Sequence, residues 1–329
     1  MIYPWQQAAW QQWLSQSGHL GHAYLLSGTA GIGLTEFAEE MAAGLLCQQP
    51  GLAACGQCPQ CHQFAQATHP DVFRLSVLED KKEISVDQVR GLTEQLYRSS
   101  HQGGYKVALI EEVERLNHSA FNALLKTLEE PPERTLLILV SYHASRLPAT
   151  ILSRCRKLSF VTPPMDVAMT WLHQAQPQAD EALLKKSLRV NWGAPLTAKT
   201  WIEDKGFEFE AEWQQDLKAL RSGKQVVSQV VEKWLKHDQP DIVFDFFYLW
   251  SVMAIRAALY NGKVDWNPNW MVFQKLVLQA KQVWQQNANK ELLMESVCLA
   301  WLQHQQGGFN PKSPIFEALK GTSIRGTMI

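Results

Sequence analysis

The stretch Gly28-Thr29-Ala30-Gly31-Ile32-Gly33-Leu34-Thr35 constrains the fold more than any other feature of this chain. It follows the short apolar run Ala23-Tyr24-Leu25-Leu26, which reads as a buried strand. It precedes a segment, Thr35 to Leu46, that sets Phe37, Met41 and Leu45 on one helical face. A glycine-rich turn from strand to helix is the setting of the phosphate-binding pattern G-x-x-x-x-G-K-[ST]. In that pattern backbone N–H groups and the helix N-terminus cradle an anion. Here Leu34 stands where the lysine belongs. A charged hydrogen bond of that kind contributes roughly 1.5–3 kcal/mol, so its loss weakens phosphate binding about ten- to a hundredfold. Leu34 also sets an apolar side chain beside the phosphates. The second half of such a site is an apolar strand ending in acids, and Val107-Ala108-Leu109-Ile110-Glu111-Glu112 fits it. Glu111 replaces the usual, shorter aspartate, and Glu112 falls where a water-activating base would sit. Gly28, Gly31, Gly33, Leu34, Thr35, Glu111 and Glu112 therefore make a degenerate nucleotide site. A loop and strand kept for structure is the simpler reading, with ATP and magnesium bound weakly or not at all.

The remaining first half alternates strand and helix signals. Asp71 to Val77, Lys106 to Ile110 and the almost wholly apolar Leu136 to Ser141 read as strands. Ser85 with Gln88 forms a capping box that opens a helix running to about Tyr97. Ala120 to Glu130 is a helix stopped by Pro131-Pro132. Strands separated by helices imply crossover units and a parallel α/β sheet. The character changes near Thr162-Pro163-Pro164. Val167 to Gln174 and Glu181 to Arg189 have helical spacing, and Gly193-Ala194-Pro195 starts a third short element. Beyond about Phe207 the pattern is helical and rich in tryptophan, which reads as large-residue core filling. The expected organisation is an α/β domain over 1–162, a small helical domain over 163–206 and an all-α domain over 207–329.

With 329 residues, 46 % hydrophobic and 19 % charged, the chain has the composition of a globular protein of two or three domains. A net charge of -1 disfavours a protein whose main work is to coat nucleic acid. Met1-Ile2-Tyr3-Pro4-Trp5 lacks the basic start and apolar run of a signal peptide. The most apolar stretch, Ile242 to Tyr260, is interrupted by Asp245 and Arg256 and reads as a buried helix rather than a membrane span. A cytoplasmic protein is expected.

Four of the six cysteines cluster as Cys47-x7-Cys55-x2-Cys58-x2-Cys61. In a reducing compartment this spacing reads as tetrahedral zinc rather than disulfides, with an iron–sulfur cluster the weaker rival. Four protein ligands leave no open position, so the metal is expected to be structural. His62 and His69 lie near but are not needed as ligands.

The motifs together resemble one family. His22-Ala23-Tyr24-Leu25-Leu26-Ser27-Gly28, the four-cysteine insertion and Asn122-Ala123-Leu124-Leu125-Lys126-Thr127-Leu128-Glu129-Glu130-Pro131-Pro132 are similar to the bacterial DNA polymerase III clamp-loader subunits, AAA+ proteins. Leu147-Pro148-Ala149-Thr150-Ile151-Leu152-Ser153-Arg154-Cys155 carries their Ser-Arg-Cys motif, and Asn289 to Leu299 resembles a stretch of their helical collar. The ATP-hydrolysing gamma/tau members would carry lysine at Leu34, a polar sensor residue at Tyr142 and a lid arginine at Leu196. Tyr3-Pro4-Trp5 and Gly193-Ala194-Pro195 resemble the delta-prime branch instead.

The resemblance implies a five-subunit ring with gamma/tau and delta subunits, ATP at the interfaces, and loading of the beta sliding clamp onto primed DNA. The chain would be part of a DNA-directed DNA polymerase holoenzyme and its clamp-loading ATPase, without being catalytic alone. Arg154 would be an arginine finger acting in trans on a neighbour's phosphate, and Cys155 buried packing. The 207–329 domain would be the collar and 163–206 the lid. Ser99 to Lys106 is either a loop against DNA or an ordinary turn. Two alternatives are a subunit with its own working ATPase site and a zinc-ribbon nucleic-acid module. The first is disfavoured by Leu34 and Leu196, the second by the neutral charge.

Overall fold

The computed structural model describes residues 1–16, 19–49, 51–79, 81–260, 269–284 and 288–305, with backbone alone at 257–260. The chain packs as two compact units, Met1–Thr200 and Trp201–Ile329.

The first unit opens with a 3-10 turn, Pro4–Gln6, that runs into α1 (Gln7–Leu14). Then come β1 (Ala23–Ser27), α2 (Leu34–Leu46), α3 (Pro59–Ala65), β2 (Val72–Leu75) and α4 (Val86–Tyr97). They are followed by β3 (Lys106–Ile110), α5 (His118–Glu129), β4 (Thr135–Ser141), α6 (Ala149–Leu152) and β5 (Arg156–Ser159). Helices α7 (Met165–Ala175), α8 (Glu181–Val190) and α9 (Pro195–Glu203) complete it, the last running on across the unit boundary. The five strands are all parallel in the order β2-β3-β4-β1-β5.

Side chains alternate across this sheet. Tyr24, Leu26, Val107, Leu109, Ile138 and Val140 share one core with Trp10 and Trp13 of α1 and Phe37 and Met41 of α2. Ala23, Leu25, Ala108, Ile110, Leu137 and Leu139 share the other with α4 and α5. Both faces are covered, which is why β3 and β4 are buried at every position. Local signals set the helix ends: α4 starts on the Ser85–Gln88 capping box, and α5 stops at Glu129 before the two prolines. The expected α/β sheet with following helices is therefore what forms. The strand expected over Asp71 to Val77 shortens to β2, and β5 was not foreseen. Only Leu158 of β5 is buried, so an edge strand beginning Arg-Lys gives no apolar run.

The second unit is helical: α10 (Gly206–Arg221), α11 (Val227–Leu235), α12 (Ile242–Tyr260), α13 (Asn269–Trp284) and α14 (Lys290–Gln305). Aromatic contacts fill it as the tryptophan content implied, with Phe247 edge-on to Trp213 at 5.1 Å and to Phe273 at 5.9 Å. Buried Asp216 accepts from Trp234 Nε1 at 2.9 Å and Lys233 Nζ at 3.0 Å, so its charge has partners.

Because the strands are parallel, the segments after β1, β3 and β4 all leave the same edge of the sheet. That edge gathers Gly28 to Gly33, Glu111 and Tyr142.

Candidate functional site

The glycine loop joins β1 to α2 with Gly31 and Gly33 at φ 77° and 86°, the left-handed region that glycine tolerates. The chain's own residues bracket it. Trp5 Nε1 donates to Ile32 O at 2.8 Å, and Gln6 Nε2 donates to Ile32 O at 3.0 Å and Gly33 O at 2.6 Å. Gln6 is fully buried. A Cβ on Gly33 would lie 2.6 Å from the Tyr3 ring, and one on Gly31 2.6 Å from Thr197. Leu196 N donates to Gly31 O at 3.0 Å, so the position expected for a lid arginine touches the loop through its backbone. Leu34 departs from expectation. Its side chain is 1 % exposed and belongs to the core with Ile32, Phe37 and Phe160, so the apolar residue turns inward rather than standing beside phosphate. The cause is the hydrophobic effect: a leucine at the helix start reaches the core more favourably than water.

The metal half of the site is also altered. Thr35 Oγ1 lies 3.1 Å from Tyr142 Oη. Burial pushes the Tyr142 phenol up, opposed by its hydrogen bond to Thr35. Glu111 is half-buried, and its carboxyl is raised first by burial, then by Glu39, Glu112 and Glu36, with Arg74 opposing. Arg74 binds Glu39 in a two-point pair, at 3.0 Å and 2.8 Å. Glu112 sits at φ 45°, and its carboxylate pairs with Arg115 Nε at 3.0 Å. The sequence reading missed Glu36. This acid in the first turn of α2 acts on Glu111, Tyr142 and Tyr3 alike. Its signal was there: an acid directly after Thr35 is ill-suited to a phosphate loop.

Arg154 follows α6, between buried Ile151 and Cys155. Burial raises the Cys155 thiol to about 11, as suits a packing residue. Arg154 Nη1 donates to Thr150 O at 2.9 Å and to Ser153 Oγ at 3.4 Å. Its Nη2 pairs with Glu129 Oε1 at 2.5 Å.

The cysteines converge as their spacing implied. The Sγ atoms of Cys47, Cys55, Cys58 and Cys61 all lie within 4.8 Å of one another. Cys47 caps the end of α2, Cys58 is the N-cap of α3, and Cys61 lies in its first turn. The Cys55–Cys61 sulfur separation is 3.9 Å. A tetrahedron of sulfurs about 2.3 Å from zinc has edges of about 3.8 Å. Backbone N–H groups point at the sulfurs: Gln49 and Cys55 at Cys47, Gln57 and Cys58 at Cys55, Cys61 at Cys58. Donors from Gln48 and Cys61 hold the Cys58 thiol down to about 6, whereas burial pushes Cys61 up to about 12. Four sulfurs this close ionise together only around a dication, so the donor set fits a metal. His62 is exposed, and buried His69 accepts from Asp71 N at 3.1 Å; neither belongs to the cluster.

The 99–106 segment is a braced turn. The buried Asp71 carboxylate accepts from Ser100 Oγ, His101 N and Gln102 N at 2.8–2.9 Å. Lys106 is 5 % exposed, and its ammonium donates to Leu96 O and Arg98 O at the end of α4. That charge is occupied at a helix C-terminus, where it is favourable, and does not stand free for a phosphate.

Residues 5–164 match the family described as DNA polymerase III, delta subunit. The chain is 37 % identical over 320 residues to DNA polymerase III subunit delta' of Pseudomonas aeruginosa, covering 91 % of this chain and 97 % of that protein. It belongs to the DNA polymerase III delta' family. The delta' subunit of Escherichia coli is 38 % identical over 199 residues, 60 % of this chain and 59 % of its own length. Subunit tau of the same organism is 41 % identical over 152 residues, 46 % of this chain and 23 % of tau. The family match spans the glycine loop, the cysteine cluster and Arg154, and ends just before α7.

Proposed function

We propose that this delta'-family chain is a clamp-loader subunit that does not turn over ATP itself and supplies Arg154 to the nucleotide of a neighbouring gamma/tau subunit. The observation that carries the first half is the loop bracketed by Trp5 and Gln6, with Leu34 drawn into the core. Thr35 against Tyr142, and the carboxylates around Glu111, add to it: a polyanion with magnesium would meet a hydroxyl already engaged and local negative charge. What supports the second half is the Ser153-Arg154-Cys155 motif on a turn anchored by Ile151 and Cys155, with the arginine a third exposed between them.

In this reading Arg154 donates charged hydrogen bonds to the phosphoryl group departing in the neighbour's site. Residues 1–162 form the α/β domain, 163–206 a lid and 207–329 the collar, through which a heteropentamer with gamma/tau and delta assembles. The assembly opens the beta sliding clamp and closes it around primed DNA. Zinc at Cys47, Cys55, Cys58 and Cys61 holds the loop between α2 and α3. Work of this kind belongs in the cytoplasm, and no helix among the described residues is long and apolar enough to cross a membrane.

Substitution tests the trans role. Arg154→Ala should leave assembly of the complex intact and slow ATP hydrolysis at the facing site at least roughly tenfold, seen as a slow fraction in single-turnover assays. Unchanged turnover in the assembled complex would contradict the assignment.

A further inference from the structure

The guanidinium of Arg154 is held at both of its terminal nitrogens, although the residue stands near the surface. Nη1 donates to the Thr150 carbonyl at 2.9 Å and to Ser153 Oγ at 3.4 Å. Nη2 donates to Glu129 Oε1 at 2.5 Å, bridging 25 residues of sequence. The first contacts come from the arginine's own turn. The Glu129 contact comes from a different element, the last residue of α5. That residue is rigidly mounted: Leu128 beside it is 1 % exposed, Leu124 one turn earlier likewise, and Pro131-Pro132 follow.

Arginine has a long stem with many rotamers and a planar fork of five donors. Half of the Glu129 side chain and a third of the Arg154 side chain are exposed, at 49 % and 33 %. A pair this wet adds little to stability. What it does add is orientation: two fixed nitrogens define the plane of the fork and leave Nε–H and further N–H bonds open to an incoming anion. Fixing a charged donor in advance reduces the ordering cost at the moment of reaction.

We propose that Glu129 is a positioning residue for Arg154, aligning its guanidinium for the neighbour's phosphate. The inference rests on the trans-acting reading of Arg154. Glu129 does not touch nucleotide; it acts through the arginine by accepting one hydrogen bond.

The test is ATP hydrolysis by the assembled complex carrying Glu129→Ala, Glu129→Gln, Arg154→Ala or the Arg154→Ala/Glu129→Ala pair. Melting temperature and assembly are checked for each chain. Glu129→Ala should lower kcat at the facing site roughly three- to tenfold with KM for ATP unchanged, as a misdirected group does. Glu129→Gln keeps an oxygen acceptor and should restore most of that loss. The double variant should be no slower than Arg154→Ala alone, since the two act as one unit. If Arg154→Ala is slow while Glu129→Ala keeps the native rate, the positioning role is wrong and the trans role stands. Glu129→Ala turning over faster than native would likewise overturn the proposal, marking Glu129 as a competitor for the arginine. A native rate in Arg154→Ala would remove the trans reading and this proposal with it.

Discussion

At Leu34 a single side chain decides two properties. It stands where the phosphate-loop pattern has its lysine, and it is part of the core, 1 % exposed beside Ile32 and Phe37. Restoring the motif by Leu34→Lys should therefore not confer nucleotide binding. An ammonium placed in that core lacks a partner, so the variant should lose about 3 kcal/mol or more of stability in denaturant titration and still bind no ATP. A variant as stable as the native chain and competent for ATP would contradict this placement. Glu111 yields a pH prediction. Burial and neighbouring carboxylates raise its carboxyl above the ordinary 4.5. The folded chain keeps that proton where the unfolded chain has released it, so this group lowers stability as pH rises from about 4.5 through the folded value. Glu111→Gln should melt higher than native at about pH 7.5 and alike at about pH 4, where both carry a neutral side chain. A difference that persists unchanged to acid pH would remove the electrostatic cause.

At the scale of elements, the cysteine loop is tied to the sheet domain through α2. Trp13 Nε1 of α1 donates to Leu52 O at 3.3 Å, and a Cβ on Gly44 of α2 would lie 2.0 Å from that same carbonyl oxygen. The loop backbone therefore lies directly on the helix that starts at the glycine loop, and only glycine allows that approach. Chelation should free this loop without unfolding the strands. Elemental analysis should give one zinc per chain. After chelation, hydrogen exchange should rise across Cys47 to Cys61 while β3 and β4 stay protected. Exchange unaltered by chelation would show that no metal supports the loop.

The same elements show what the sequence makes legible. Strands β3 and β4 and helices α4 and α5 could be read because burial on two faces and caps leave local signatures. The cysteine spacing is equally local. The bracing of the glycine loop by Gln6, 26 residues before Ile32, and the pairing of Glu129 with Arg154 are long-range and leave no periodic trace. Helix α1 was missed for another reason. It is rich in glutamine and tryptophan, and only Trp10 and Trp13 are buried, too few to mark a face.

On the scale of the whole molecule, the first unit keeps the architecture of a nucleotide-binding sheet and alters the groups that would hold a nucleotide. The sheet, its two cores and the glycine turn persist because packing requires them. The positions at the strand ends, where chemistry would occur, have instead been filled or engaged by Tyr142, Glu36, Gln6 and Trp5. The proposed function divides the labour: a scaffold that would bind no nucleotide itself, and an arginine that would act on a site in another chain. The division is tested most directly by titrating magnesium-ATP into the purified chain and following heat release. Heat release should show no binding up to about 1 mM nucleotide, weaker than about -4 kcal/mol. Saturable binding with a Kd of about 10 μM or tighter would show that the loop still accepts phosphate and would contradict that division.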